Sequence, residues 1–154
     1  MKKGEIYEGI IEKVDFPNKG YVCIDDQKVL IKNGIPGQKV RFMIQKKRSG
    51  RAQGRILEVL EKSPFETRDA VCNNFPACGG CMYQTMSYEN QLVMKETQIR
   101  ELLEEALVRG GQVDKNGQAD FDWEGIHGSP IEFGYRNKME FSFGDEYKDG
   151  PLSL

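Results

Sequence analysis

Apolar positions in the first part of the chain recur every second residue, the spacing that puts alternate side chains on one face of a β-strand. Val40, Phe42 and Ile44 alternate with Lys39, Arg41 and Gln45 without a break, which predicts a half-buried strand. Tyr21-Val22-Cys23-Ile24 and Val29-Leu30-Ile31 flank the turn-like Asp25-Asp26-Gln27 and predict a hairpin, with Cys23 packed inside as a small apolar residue. Upstream, Glu5 to Val14 carries short β-favouring stretches in which Gly9 reads as a bulge or tight bend. Lys46 to Gly54 reads as a basic, glycine-containing loop, and Arg55 to Lys62 as a last strand carrying Ile56, Leu57, Val59 and Leu60. Five short strands in so short a stretch predict a small closed barrel of the OB type over residues 1–62.

Ser63-Pro64 ends that unit, and residues 63–84 show no sustained periodicity. The repeat then lengthens to three and four. Tyr88, Leu92, Ile99, Leu103, Ala106 and Leu107 fall on one helical face, with Ser87 as the predicted N-cap and Gly110-Gly111 as the stop after Arg109. Residues 112–122 read as a polar connection. Trp123 to His127 and Ile131 to Phe143 read as strands, so residues 85–154 are expected to hold the helix and the beginning of a β-rich central domain. Asp149-Gly150-Pro151-Leu152-Ser153-Leu154 reads as a turn and the first residues of another strand, and the polypeptide is expected to continue beyond it. The expected class is α+β.

Composition sharpens this picture. With 38% apolar and 30% charged residues, the 154-residue chain is rather polar, and no apolar run approaches the roughly 20 residues that span a bilayer. The N-terminus lacks the apolar stretch of a signal peptide, so a cytoplasmic location is expected, without membrane attachment or an obligate protein partner. The net charge of −2 conceals a segregation. From Gln27 to Leu57 there is no acidic residue, while Lys28, Lys32, Lys39, Arg41, Lys46, Lys47, Arg48, Arg51 and Arg55 are basic. A basic module is joined to an acidic one, and that asymmetry predicts a polyanionic partner.

Three of the four cysteines stand in one short loop, Cys72-x5-Cys78-Gly79-Gly80-Cys81. In a reducing compartment such clusters bind metal or do redox chemistry more often than they cross-link. The glycines leave the sulfurs unobstructed and allow a sharp turn around a bound centre. Zinc wants four ligands, often as C-x2-C pairs, and only Cys78 and Cys81 form such a pair. Iron–sulfur clusters accept irregular spacing with a distant fourth cysteine. Spacing alone leaves both open. The fourth ligand has three candidates: Cys23, His127 (which would make a Cys3His zinc site), or a residue beyond Leu154. Tyr83 and Phe75, nearby, are expected to pack in a core rather than shield a metal or stack a base.

The order of these pieces resembles the uracil-C5 RNA methyltransferases that carry an N-terminal TRAM domain and an iron–sulfur cluster. The resemblance covers nearly the whole chain. It rests on Cys72-x5-Cys78-Gly79-Gly80-Cys81-Met82-Tyr83-Gln84, on Tyr88-x3-Leu92-x2-Lys95 at the start of the helix, and on Gly134-Tyr135-Arg136-Asn137-Lys138-Met139-Glu140-Phe141. Pro36-Gly37-Gln38-Lys39-Val40 and the basic loop are similar to TRAM. The resemblance implies that Cys72, Cys78 and Cys81 are three ligands of a 4Fe–4S cluster whose fourth ligand lies beyond Leu154. It implies an S-adenosylmethionine domain outside this chain, in which a cysteine adds to C6 of the uracil and C5 takes the methyl group. No catalytic residue falls within these 154 residues, and the chain alone is expected to be inert. The substrate is expected to be rRNA or tRNA, gripped by Lys46, Lys47, Arg48, Arg51 and Arg55. By resemblance, Arg136 and Lys138 also face the RNA from one strand face, with Asn137 and Met139 on the other.

Overall fold

The computed structural model describes residues 1–48, 50–76, 80–135, 137–138, 140, 144 and 150–151. Its strands are β1 (Ile6–Ile10), β2 (Lys13–Asp15), β3 (Lys19–Ile24), β4 (Gln27–Lys32), β5 (Lys39–Arg48) and β6 (Arg51–Glu61), followed by one helix, α1 (Tyr88–Gly110). All six strands belong to one curled sheet in the order β1-β5-β6-β4-β3-β2. Every pairing is antiparallel except β4 with β6. The protein is thus an α+β structure built on a curled, barrel-like mixed sheet.

The core follows from the period of two. Val22 on β3, Val29 and Ile31 on β4, Val40, Phe42 and Ile44 on β5, and Ala52 on β6 point inward with Ile11 and Val14. Gly9 lets the sheet curl. A Cβ there would come within 2.3 Å of Val22 Cγ1, so β1 lies against β3 only because position 9 has no side chain. Gly54 serves the interior in the same way, since a Cβ would stand 2.7 Å from the Phe42 ring and 2.8 Å from Ile31 Cδ1.

The sequence expectations are corrected in several places. There are six strands rather than five, because Glu5 to Val14 breaks at Ile11-Glu12 into β1 and β2. Ile11 leaves the ladder to plug the core, fully buried, with its amide donating to the Gln38 carbonyl at 2.9 Å. Gly9 marks a close approach of strands, and the bulges lie on the β5–β6 pair instead. The expected loop over Lys46–Gly54 is mostly strand: β5 runs to Arg48 and β6 starts at Arg51. Cys23 is exposed, because the inward positions of β3 are Gly20 and Val22.

Helix α1 keeps its expected limits. Ser87 Oγ accepts from the Asn90 amide at 3.2 Å. At the other end Gly111 takes a left-handed conformation (φ 79°) and its N–H caps the Leu107 and Val108 carbonyls. The expected face is covered only in part. Leu103 and Ala106 are exposed, and the one buried helical residue is Gln98, whose Nε2 donates to the Val14 carbonyl at 2.7 Å. Lys13 on β2 reinforces that contact with an ion pair to Glu101 at 2.7 Å.

Among the described residues, 123–127 and 131–140 form no strand. The described part of this segment runs back along α1 on side-chain bonds. Trp123 Nε1 donates to Glu96 at 2.6 Å, and the Ser129 amide donates to the Tyr88 hydroxyl at 2.6 Å. Arg136, Met139 and Phe141 to Phe143 lie outside the described residues. No described helix is long and apolar enough to cross a membrane.

Gly9→Ala is expected to lower the free energy of unfolding by about 1–3 kcal/mol, the usual cost of overpacking. Urea denaturation reads this out, and an unchanged midpoint would show that β1 does not depend on contact with β3.

Candidate nucleic-acid interface and cysteine loop

Strand register decides where the basic residues of β5 and β6 point. Along β5, Val40, Phe42 and Ile44 face inward, so Lys46 and Arg48 would follow them by simple alternation. A register shift between Ile44 and Lys46 prevents this. Ile44 pairs with inward-facing Gly54, whereas Lys46 pairs with Gln53 and Arg48 with Arg51. The extra residue on β5 is Gln45. The bulge there reverses the parity and sets Lys46, Arg48, Arg51 and Arg55 on one outer face. Lys47, opposite buried Ala52, takes the other side, where its Nζ donates to the Met1 carbonyl at 3.2 Å. Of the five residues expected to grip RNA, four share a face and Lys47 does not.

Charge pairing divides the same two strands. At the base of the hairpin, Arg41 is held between Glu8 (2.8 Å) and Glu58 (2.6 Å), and Lys39 pairs with Glu61 at 2.8 Å. Toward the tip, Lys46, Arg48, Arg51 and Arg55 have no acidic partner among the described residues. Unpaired, exposed cations on one face are what a phosphate backbone needs. Register adds residues that a linear reading leaves scattered. Lys19, Lys28 and Lys32 occupy outward positions on β3 and β4, next to β6 in the sheet.

The cysteine loop hangs from buried polar groups. Gln84, buried, accepts from the Cys72 amide at 3.1 Å. Arg68 Nε donates to the Gln84 carbonyl at 3.0 Å, while its guanidinium pairs with Glu132 at 2.7 Å and lies 5.8 Å from the Phe133 ring centroid. Tyr83, only 7% exposed, packs with Ile35 and Met86 against Met94, and its hydroxyl donates to Asn18 Oδ1 at 2.9 Å. Asn18 in turn donates to Met82 Sδ at 2.8 Å. Tyr83 is therefore a core residue, as expected. Cys72 and Cys81 are exposed free thiols at either end of this loop.

Those two side chains are chemically suited to soft iron, being accessible sulfurs outside any apolar core. Cys78 lies outside the described residues, and among those described no three His, Cys, Asp or Glu side chains converge. His127 is exposed and Cys23 sits on the outer face of β3. Lys138 is exposed and paired with Glu140 at 2.5 Å, so its cation is less available than those of the sheet face.

A curled sheet whose cationic face has no acidic partner among the described residues, joined to a loop that presents free thiols, defines a candidate nucleic-acid-binding unit. Comparison with known proteins narrows the class. The chain is 44% identical over all 154 residues to an uncharacterized RNA methyltransferase of Clostridium tetani and covers 31% of that protein. It is 43% identical over 154 residues to one of Caldanaerobacter subterraneus subsp. tengcongensis, covering 32%, and 38% identical to one of Clostridium acetobutylicum, covering 31%. The chain thus spans about a third of the length of the curated relatives it matches. No protein-family model matches it.

Burial pushes the Tyr83 hydroxyl up to about 12 from its usual 10. The folded state holds that proton more tightly than the unfolded chain does. The resulting stability is complete below pH 10 and is lost as pH rises from there through about 12. Tyr83→Phe should flatten this alkaline decline in urea unfolding. At neutral pH it should cost about 1 kcal/mol, since Asn18 loses a donor.

Proposed function

We propose that this chain is the RNA-binding and cluster-bearing N-terminal part of an S-adenosylmethionine-dependent RNA (uracil-C5) methyltransferase acting on rRNA or tRNA. The observation that carries the reading is the outer face of β5 and β6, where Lys46, Arg48, Arg51 and Arg55 stand together without acidic partners among the described residues. The names of its relatives agree with RNA as the substrate. In this reading residues 1–62 are the TRAM-like barrel that binds RNA, 63–84 the cluster loop, and 85–154 the helix and the start of a central domain. Arg136 and Lys138 add contacts to RNA from that last part.

Cys72, Cys78 and Cys81 would hold a 4Fe–4S cluster, with a fourth ligand from polypeptide beyond Leu154. The group would supply a multivalent anchor for a loop that has little apolar core of its own. The chain's own residues do the rest: Gln84 and Arg68 fix the start of the loop, and Tyr83 fixes its end against Asn18. Methyl transfer itself, with its S-adenosylmethionine site and uracil-directed cysteine, belongs to the rest of the parent protein.

Mass measurement of RNA from cells with and without the intact gene tests the activity, and one methyl group on a uridine must disappear with the gene. Iron and sulfide analysis of the intact protein, purified without oxygen, tests the cluster. Cys78→Ala in that protein should abolish both iron and sulfide and loosen residues 63–84 in hydrogen exchange while the sheet keeps its protection. A variant that retains its iron, or an unchanged pattern of uridine methylation in the deletion strain, overturns the corresponding half of the reading.

A further inference from the structure

The outer face of β3, β4, β6 and β5 is ordered into three rows by strand register. In the first, Lys19 lies beside Lys32, and Lys32, one residue past the Ile31–Gly54 pair, lies beside Arg55. In the second, Tyr21 lies beside Leu30, Leu30 beside Gln53, and Gln53 beside Lys46. In the third, Cys23 lies beside Lys28, Lys28 falls next to Arg51 one residue before the Val29–Ala52 pair, and Arg51 lies beside Arg48. All these positions point outward, since Gly20, Val22, Val29, Ile31, Ala52 and Gly54 between them are buried.

The pattern is an uncharged stripe, Tyr21–Leu30–Gln53, bordered by cations on both sides. Alternate residues of a strand are about 6.7 Å apart and neighbouring strands about 4.8 Å, so the stripe runs ~10 Å across the sheet with a cationic row ~7 Å to either side. None of the three rows contains a carboxylate. Carboxylates border the face on its β2 side and at its turn: Asp15 on β2, opposite Lys19 and paired with Lys13, Asp25 and Asp26 in the β3–β4 turn, and Glu12 beside the Cys23 thiol. Lys28 Nζ stands 5.4 Å from the centroid of the half-buried Tyr21 ring. The ammonium lies over the ring as a cation–π partner; swung aside, it leaves the ring to a base and its own charge to that nucleotide's phosphate.

We propose that this stripe is a subsite for an unpaired nucleotide of single-stranded RNA. The base stacks on Tyr21, the Gln53 amide meets a neighbouring base edge, and the flanking phosphates lie on Lys28 and Arg51 or on Lys32 and Arg55. Duplex RNA keeps its base faces within the helix and offers Tyr21 nothing to stack. The inference rests on the reading of the chain as RNA-binding and names the element of RNA which that surface takes.

Fluorescence anisotropy of a short labelled oligouridine with the full chain, over a series of salt concentrations, tests it. Tyr21→Leu should weaken binding about 5- to 160-fold, the range for one stacked base, with the salt slope unchanged. Tyr21→Phe should bind within about twofold of the parent. Lys28→Gln should instead flatten the slope of log K against log salt by about 0.7, one phosphate contact on a single strand. If Tyr21→Leu shifts the thermal midpoint, Tyr21→Trp carries the comparison: it should bind at least as tightly, with indole emission quenched on binding. A Leu variant that keeps its thermal midpoint and binds like the parent, a Trp variant that binds more weakly or without quenching, or duplex RNA that competes as well as the single strand, overturns the subsite while leaving RNA binding intact. Absence of any salt-dependent binding by the parent chain overturns the subsite and the RNA-binding reading together.

Discussion

Between Ile44 and Lys46, β5 carries one residue more than its partner β6, and that residue governs what the outside of the sheet is made of. A strand that has just contributed Val40, Phe42 and Ile44 to the core must pass to Lys46 and Arg48 at the same parity. Strict alternation would turn both cations to the side that exposed Lys47 takes, apart from Arg51 and Arg55. The bulge at Gln45 prevents this in one step. It ends the inward series at Ile44 and restarts the outward one at Lys46, opposite Gln53 and Arg51. An irregularity in strand pairing thereby assembles a surface of one charge sign.

Acidic residues at the base of the hairpin complete this arrangement. Exposed ion pairs such as Arg41 with Glu8 and Glu58 contribute little to stability, about 0–1 kcal/mol each. Their larger effect is on the field. Neutralising Arg41 and Lys39 confines the positive potential to the distal half of β5 and β6 and the neighbouring strands. A protein with net charge −2 can then attract a polyanion to one patch while its remaining surface repels it.

How much of this was legible in the sequence depends on the range of the interaction that decides each feature. Helix α1 was legible because its limits are local: Ser87 caps, and only glycine takes the left-handed turn at Gly111 without strain. The β3–β4 hairpin and the inward set of β5 were legible from alternation over a few residues. Gly9 was not, because its reason is Val22, on a strand that does not pair with β1 and meets it only across the curl of the sheet. Cys23 was misplaced for a similar reason, since a run of four β-favouring residues does not say which parity is buried. The basic residues were visible as a cluster, but the bulge that makes them one face is a two-strand property. Lys19, Lys28 and Lys32 join that face only through the β3–β4–β6 register. Read along the chain, Lys47 and Arg48 look equivalent, yet register puts them on opposite sides.

The thiols, finally, are held in relation to that face by buried and half-buried polar groups more than by apolar packing. Among the described residues, 63–86 contribute only Tyr83 and Met86 to a small apolar cluster, which they share with Ile35 of the turn before β5 and Met94 of α1. Glu66 supplies what that cluster lacks. Its carboxylate accepts from the Ser63 amide at 2.7 Å, from Gln38 Nε2 at 2.9 Å and from Thr85 Oγ1 at 2.8 Å, joining the linker, the sheet and the end of the cysteine loop. Asn18 makes a second junction through Met82 and Tyr83, and Gln98 a third through Val14. Hydrogen bonds of this kind are directional, so they fix orientation more tightly than an equal apolar area does. They also fail abruptly, because removing one partner strands another in a place water does not easily reach. The loop is therefore oriented by the same sheet that carries the cationic face, and a change at Glu66, Asn18 or Gln84 disturbs the loop's attachment before it disturbs the apolar core.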